Sequence, residues 1–350
     1  MAGGYSRRQF GNLLAAAALG TSATAAASTR RRAMHLIKPA RLRPGDLVGI
    51  VAPGGHTNEA AIEKAVANIE SLGLRARVGD NIHYVYGNYA GTVRQRLDDL
   101  HGMFRDPDIK AVWAIRGGSG CISLLEHLDY RLLRAHPKAL IGYSDITCLH
   151  LALLKHAGLV SFHGPVASSA FSDYAVTHLR NVLMTPQDNY TIAMSAENAL
   201  AGQEHANYRA RTIHPGIATG RLIGGNLSLF SALAGTPYAV DFTDAILYLE
   251  EVNEEPYRVD RMMTQLQLSQ GFRKAAAVVL GIFENCEGVD GEGALSLDDT
   301  VDQHLLPLTR PAVAGYSFGH IRHQFTLPVG IRARLDTEQQ TLTLLEPGVV

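Results

Sequence analysis

The segment Leu140-Ile141-Gly142-Tyr143-Ser144-Asp145-Ile146-Thr147 sets a serine between an apolar run and an amphipathic helical pattern. A hydroxyl held on a tight strand-to-helix turn is exposed for attack on a carbonyl, and the helix N-terminus favours negative charge beside it. The backbone N–H of Asp145 would face such an oxyanion. The Gly-x-Ser-x-Gly form of this turn is only half met, because Ile146 stands where the second glycine would be. Serine is also an ordinary helix cap, so the local pattern leaves nucleophile and cap both open.

A nucleophilic serine needs a base, and the base needs an acid to orient it. His320, in Ser317-Phe318-Gly319-His320, follows the apolar run 312–316, and Glu250 follows the run 245–249. Both fall at carboxyl ends of expected strands, where ligands of open α/β sheets bind. His163, in Phe162-His163-Gly164-Pro165, is an equally good local candidate for the base. Gly117-Gly118-Ser119-Gly120 reads either as a tight turn or as a second oxyanion donor. Other chemistries find little footing, since the chain has no HExxH, no GxxxxGKS/T and no GxGxxG. The cysteines Cys121, Cys148 and Cys286 show no CxxC or zinc spacing. Cys121 and Cys148 lie in apolar helical patterns and are expected as buried thiols.

The elements that must position these residues alternate between strand and helix patterns. The apolar run 47–52 is followed by a helical pattern with Thr57 as N-cap, Ile62, Val66, Ile69 and Leu72 on one face, and Gly73 as its end. A second helical pattern runs over 92–104 and is stopped by Asp106-Pro107. Strand 111–115, helix 121–128, strand 139–143 and helix 145–156 follow, the last closed by Ala157-Gly158. Such units argue for a parallel sheet covered by helices. Residues 186–210 are polar and irregular and read as a linker. Beyond them come strand 221–225, a helix from Asn226, strands 245–249 and 275–283, and a terminal hairpin of 330–335 with 340–345. The expected architecture is α/β. A parallel-sheet N-terminal domain over 36–185, with helices on both faces, precedes a smaller mixed α/β C-terminal domain over 211–350.

Of the 350 residues, 32 are basic and 33 acidic, so no overall basic field exists to hold nucleic acid or an anionic membrane. Hydrophobic residues make up 46%, too many for a disordered chain. At the start, Ser6-Arg7-Arg8-Gln9-Phe10 precedes the apolar residues 13–19, with small residues at Ala25 and Ala27. This reads as a twin-arginine export signal over 1–27, and its apolar run is far below the ~20 residues of a stable membrane span. The expected location is the periplasm, with a cytoplasmic form if Met34 serves as an alternative start.

Taken in order, the motifs resemble the LD-carboxypeptidase family of serine peptidases. The likeness runs through Arg43-Pro44-Gly45-Asp46, Ala52-Pro53, Ala90-Gly91-Thr92, Arg116-Gly117-Gly118 and Gly142-Tyr143-Ser144-Asp145. It continues through His163-Gly164-Pro165, Gly224-Gly225-Asn226-Leu227, Leu249-Glu250, Gly319-His320 and Thr326-Leu327-Pro328. The resemblance implies a Ser144–His320–Glu250 triad at a domain interface, an oxyanion hole from the N–H groups of Gly118 and Asp145, and no metal or organic cofactor. It moves His163 to a supporting role. It also implies an L,D-amide substrate, the murein tetrapeptide losing its terminal D-alanine, with Arg116 as candidate partner of the substrate carboxylate. Departures from the family pattern fall at pocket loops: Ser119 replaces a common tyrosine, Cys121-Ile122-Ser123 replaces a common arginine, and Gly54-Gly55 replaces serines. They bear on which peptide is cut. A microcin-C-type detoxifying peptidase and a catalytically inactive muropeptide-binding protein are the competing expectations, and a homodimer is an open one.

Overall fold

Runs that are apolar at nearly every position can be buried on both faces only in a sheet covered on both sides. In a computed structural model, which describes residues 35–288 and 295–350, those runs build two such sheets. The expected export signal and Met34 lie outside the described residues.

The first sheet is built from β1 (Leu47–Val51), β2 (Arg75–Val78), β3 (Ile109–Ala114), β4 (Ala139–Gly142) and β5 (Phe162–His163). Between them run α1 (Glu59–Ser71), α2 (Val93–Arg105), α3 (Tyr130–Ala135) and α4 (Thr147–Ala152). Next come α5 (Asp173–Leu183), β6 (Tyr190–Ala193), α6 (Ala196–Ala201), β7 (Arg211–His214), β8 (Ile217–Asn226) and α7 (Leu227–Ala232). They are followed by β9 (Ala245–Val252), α8 (Pro256–Ser269), β10 (Ala277–Glu284), α9 (Leu297–Leu305) and β11 (Ala312–Gly319). The last strands are β12 (Leu327–Pro328), β13 (Arg332–Asp336) and β14 (Thr341–Leu344).

The first sheet has the order β12-β5-β4-β3-β1-β2, parallel except for the β12–β5 pair. The second has the order β6-β14-β13-β8-β9-β10-β11-β7, with β8 to β11 parallel and the flanking strands antiparallel. With eight strands it is wider than the first, which has six. Strand alternation sorts side chains into two cores, and each core draws on both sheets. Val112, Ala114, Leu247 and Leu249 enter one, while Trp113, Ile141, Ile246 and Tyr248 enter the other. Two backbone bonds tie residue 350 to the first described segment, Arg41 N to the Val350 carbonyl at 2.8 Å and Val350 N to the Pro39 carbonyl at 2.9 Å.

Several expectations shift by local chemistry. The N-cap of α1 is Asn58, not Thr57: the Asn58 side-chain oxygen accepts the Ala61 N–H at 2.9 Å, three residues on. The expected helix 121–128 is a 3₁₀ run, Cys121–His127. The expected helix 145–156 is composite: a 3₁₀ turn at Ser144–Ile146, α4, and a π turn at Leu153–Ala157 that ends on left-handed Gly158. The stretch 186–210 is not irregular throughout. It contains β6 and α6, and β6 pairs with β14 at the sheet edge. An edge strand needs only one partner and one apolar face, which leaves its polar composition uninformative.

Candidate active site

Ser144 occupies the sharp turn between β4 and α4, with φ at 65°, a left-handed conformation rare for a residue with a Cβ. Such a residue costs on the order of 1–2 kcal/mol and persists only where its surroundings impose it. Those surroundings are visible. The Gly142 carbonyl ending β4 accepts Gly164 N at 3.1 Å and lies 2.9 Å from His150 Nε2. His150 Nδ1 lies 2.9 Å from the Ser161 hydroxyl. A carbonyl can only accept, so Nε2 carries the proton, and burial pushes this imidazole down to about 3 and keeps it neutral. His150 thereby pins the strand end from inside α4. An apolar helical pattern does not single it out.

The first half meets the second across this turn. Gly225 is left-handed, and a Cβ there would stand 2.5 Å from the Thr147 side chain. The absence of a side chain lets the end of β8 touch the start of α4, and Asn226 N donates to Thr147 Oγ1 at 2.9 Å. The β8–β9 register places Asn226 opposite Glu250. In the β10–β11 register Ile282 faces Gly319, and a Cβ on Gly319 would lie 3.2 Å from the Glu250 side chain. The sheet thus delivers Glu250 and His320 to one point.

There the three expected side chains form a hydrogen-bonded chain. His320 Nε2 is 2.9 Å from Ser144 Oγ, and His320 Nδ1 is 2.7 Å from Glu250 Oε2. The carboxylate must accept, so the proton of a neutral imidazole sits on Nδ1 and Nε2 is left to accept from the serine. Glu250 is wholly buried. Burial opposes its charge, but the facing imidazole outweighs burial and holds the carboxyl below the ordinary glutamate range. Burial likewise pulls His320 down, and Glu250, helped by Glu251 and Glu284, outweighs it and raises the imidazole above its ordinary value. The Tyr143 ring meets His320 edge to face at 4.8 Å. The neighbouring Glu251 is fully engaged, accepting from Asn226 Nδ2 at 2.8 Å and from Ser228 N and Oγ at 2.7 Å.

The glycine loop lies against the serine. A Cβ on Gly117 would sit 3.0 Å from Ser144 Oγ and 3.1 Å from Asp145 N, so Gly117 keeps a niche open beside both atoms. The adjoining Gly118 is left-handed. The Asp145 carboxylate is not part of that niche. Its Oδ2 accepts Cys121 N at 2.9 Å and so ties the turn to the loop. Arg96 is buried and donates to the carbonyls of Pro53 and Gly120 at 2.8 and 2.9 Å, bracing the same loop. Arg116, next to Gly117 in sequence, is exposed, with Nη1 donating to the His56 carbonyl at 3.1 Å. His163, the rival base, is buried with both ring nitrogens unpartnered. It packs against Tyr143, Tyr248 and Phe318, and burial pushes it down to about 4. Cys121 and Cys148 are buried free thiols, as is Cys286. Among the described residues, no group of three or more His, Cys, Asp or Glu side chains is arranged to hold a metal ion. Nor is any helix there long and apolar enough to cross a membrane.

Comparison with known proteins gives a consistent result. Residues 48–164 match the model of the LD-carboxypeptidase N-terminal domain, and residues 219–335 match that of the LD-carboxypeptidase C-terminal domain. The chain is 35% identical over 317 residues to the probable murein peptide carboxypeptidase of Bacillus subtilis, covering 89% of this chain and 95% of that protein. The crystal structure of an MccF-like protein from Bacillus anthracis superposes with a TM-score of 0.77 at 29% identity, covering 89% of this chain and 99% of that one. A muramoyltetrapeptide carboxypeptidase from Oxalobacter formigenes gives a TM-score of 0.72 at 30% identity, covering 85% and 97%.

Proposed function

The chain belongs to the LD-carboxypeptidase family, and on that footing we propose that it is a serine-type carboxypeptidase that cleaves an L,D-amide bond and releases terminal D-alanine from murein tetrapeptides. The observation that carries this reading is the unbroken Ser144–His320–Glu250 hydrogen-bonded chain, with the serine on a left-handed turn.

Ser144 Oγ attacks the carbonyl carbon while its proton passes to His320 Nε2. Glu250 holds the imidazole by Nδ1 and stabilises the cation that forms. The niche beside Gly117 takes the oxyanion, with the N–H groups of Asp145 and Gly118 as its donors; losing one such donor costs ~2.7–4 kcal/mol of barrier. Collapse of the tetrahedral species breaks the C–N bond, and His320 returns its proton to the departing amine of D-alanine. Water, deprotonated by the same imidazole, then cleaves the acyl ester and restores Ser144. Arg116, next to Gly117 in sequence, is the cation for the substrate's free carboxylate. The twin-arginine pattern at 1–27 supports action in the periplasm on murein stems.

Purified Ser144→Ala protein is expected to release no D-alanine from tetrapeptide, and release at the parent rate would end the serine mechanism. Covalent labelling of Ser144 by a fluorophosphonate separates a hydrolase from an inactive muropeptide-binding protein. The likeness to an MccF-like structure favours one second reading, a peptidase that disarms a microcin-C-type peptide–nucleotide. Turnover of both substrates side by side decides between the two.

A further inference from the structure

His163 packs among residues that adjoin all three members of the triad. The β4–β5 register sets it opposite Gly142, two residues before Ser144. Its ring meets those of Tyr248, Phe318 and Tyr143 at centroid distances of 5.5, 6.3 and 6.1 Å. Tyr248 stands two residues before Glu250 on β9, so their side chains leave the same face of the sheet. Phe318 stands two residues before His320. Tyr143 directly precedes Ser144, and its ring packs on His320 at 4.8 Å.

The polar atoms of this layer have unmet hydrogen-bonding capacity. Both nitrogens of His163, the Tyr248 hydroxyl and Glu250 Oε1 are buried, with no hydrogen-bond partner among the described residues. Glu250 Oε2 is taken by His320 at 2.7 Å, and Asn226, opposite Glu250 in register, directs its amide to Glu251 Oε1 at 2.8 Å. A buried carboxylate oxygen without a donor is costly and rare in folded proteins. Burial pushes His163 down to about 4, so its ring is neutral and has one N–H to give. His163 and Glu250 are near enough that each favours the charged form of the other, yet no direct hydrogen bond joins them. Buried polar groups that approach without touching are what an internal water joins.

We infer that His163 is a positioning residue of the triad: through one buried water, held also by the Tyr248 hydroxyl, its N–H supplies the donor that Glu250 Oε1 lacks. The water accepts the N–H of His163 and the O–H of Tyr248 and donates one hydrogen to Oε1. Glu250 is then fixed at both oxygens, Oε2 by His320 and Oε1 by the water. A carboxylate held at one oxygen alone can turn about its terminal bond and tilt the imidazole away from Ser144, and small losses of alignment cost much rate. This role rests on the proposed serine mechanism and deepens it, because it names what holds the acid in place.

The test sets hydrogen bonding against packing at position 163 in the full-length protein. His163→Phe keeps an aromatic ring and removes the N–H, whereas His163→Asn and His163→Gln keep a neutral donor and lose the ring. In the Phe variant kcat for D-alanine release should fall about 10- to 100-fold with KM unchanged, as for a hydrogen bond to a charged group. At least one amide variant should recover most of that loss. Tyr248→Phe should cost less, and combining it with His163→Phe should add nothing, because both side chains hold one water. Full activity of the Phe variant, or two amide variants that are both worse than it, would assign His163 to packing and overturn the role. Additive losses in the double variant would refute the shared water, as would a high-resolution crystal structure with no water in hydrogen-bond reach of Glu250 Oε1. If the parent releases no D-alanine, the rate of fluorophosphonate labelling of Ser144 makes the same comparison. A parent that is neither active nor labelled removes the hydrolase reading and the positioning role with it, and the crystal structure then decides the water alone.

Discussion

Glu250 has two roles that a single substitution separates. Its charge raises His320, and its acceptor oxygen fixes the proton on Nδ1. On the proposed mechanism catalysis by the free enzyme needs the neutral imidazole, so activity is expected to fall as pH drops through the His320 pKa. Because that pKa is raised, the acid limb of the kcat/KM profile should be centred above the ordinary histidine value. In Glu250→Gln protein the opposing burial is no longer countered, so the limb should move to lower pH. The amide also offers a donor to Nδ1, which moves the proton to Nε2, where it faces the serine. A loss of about three to four orders of magnitude in kcat is expected, read as D-alanine release across a pH series. An unmoved limb would show that Glu250 does not set the titration. The serine turn itself was legible from the alternation of apolar run, Ser144 and helix pattern. The choice between nucleophile and cap was not, because both place the same residue at the same turn. The nucleophile reading draws its support from His320, 176 residues along the chain, which lies within hydrogen-bond reach of the serine hydroxyl.

At the level of elements, the meeting of β8 with α4 is the joint on which the site depends. Gly225→Ala would push a methyl group to 2.5 Å from the Thr147 side chain at a left-handed position. Backbone strain and overpacking together should cost ~2–3 kcal/mol of stability. The same shift should move Glu250 and His320 away from Ser144, so thermal melting temperature and kcat should fall together. A variant that melts like the parent would show that the joint is looser than the contact implies. The central strands of both sheets were readable as unbroken apolar runs. The short pieces β5, β6 and β12 were not, since two to four residues carry no measurable period and take their structure from a distant partner. His150 was invisible for a related reason: its importance lies in the carbonyl it meets, which a helical pattern does not specify.

For the molecule as a whole, burial of neutral imidazoles sets an acid limit. Burial pushes His150 down to about 3, and His163 and His178 down to about 4. In the unfolded chain these groups take up protons near the ordinary histidine value, while in the folded chain they resist until pH is much lower. Between those limits the unfolded state binds more protons, so stability declines as pH falls. At pH 5 each such group can withdraw up to ~2 kcal/mol. A lower melting temperature at pH 5 than at pH 7.5 is expected, and His178→Phe should narrow the gap. An identical melting temperature at both values would mean that these rings are already protonated in the native protein.

β12 completes the first sheet with residues Leu327–Pro328, and residue 350 bonds back to residues 39 and 41. The sheet that carries Ser144 is therefore finished by residues far downstream of its other strands. Until then β5 has a bare edge, open to pairing with any other chain. A fragment truncated at residue 210 is expected to aggregate where the whole chain stays monodisperse in size-exclusion chromatography. Synthesis and assembly are thus ordered in time: Ser144 cannot meet His320 until the strands that close its sheet have followed it out of the ribosome.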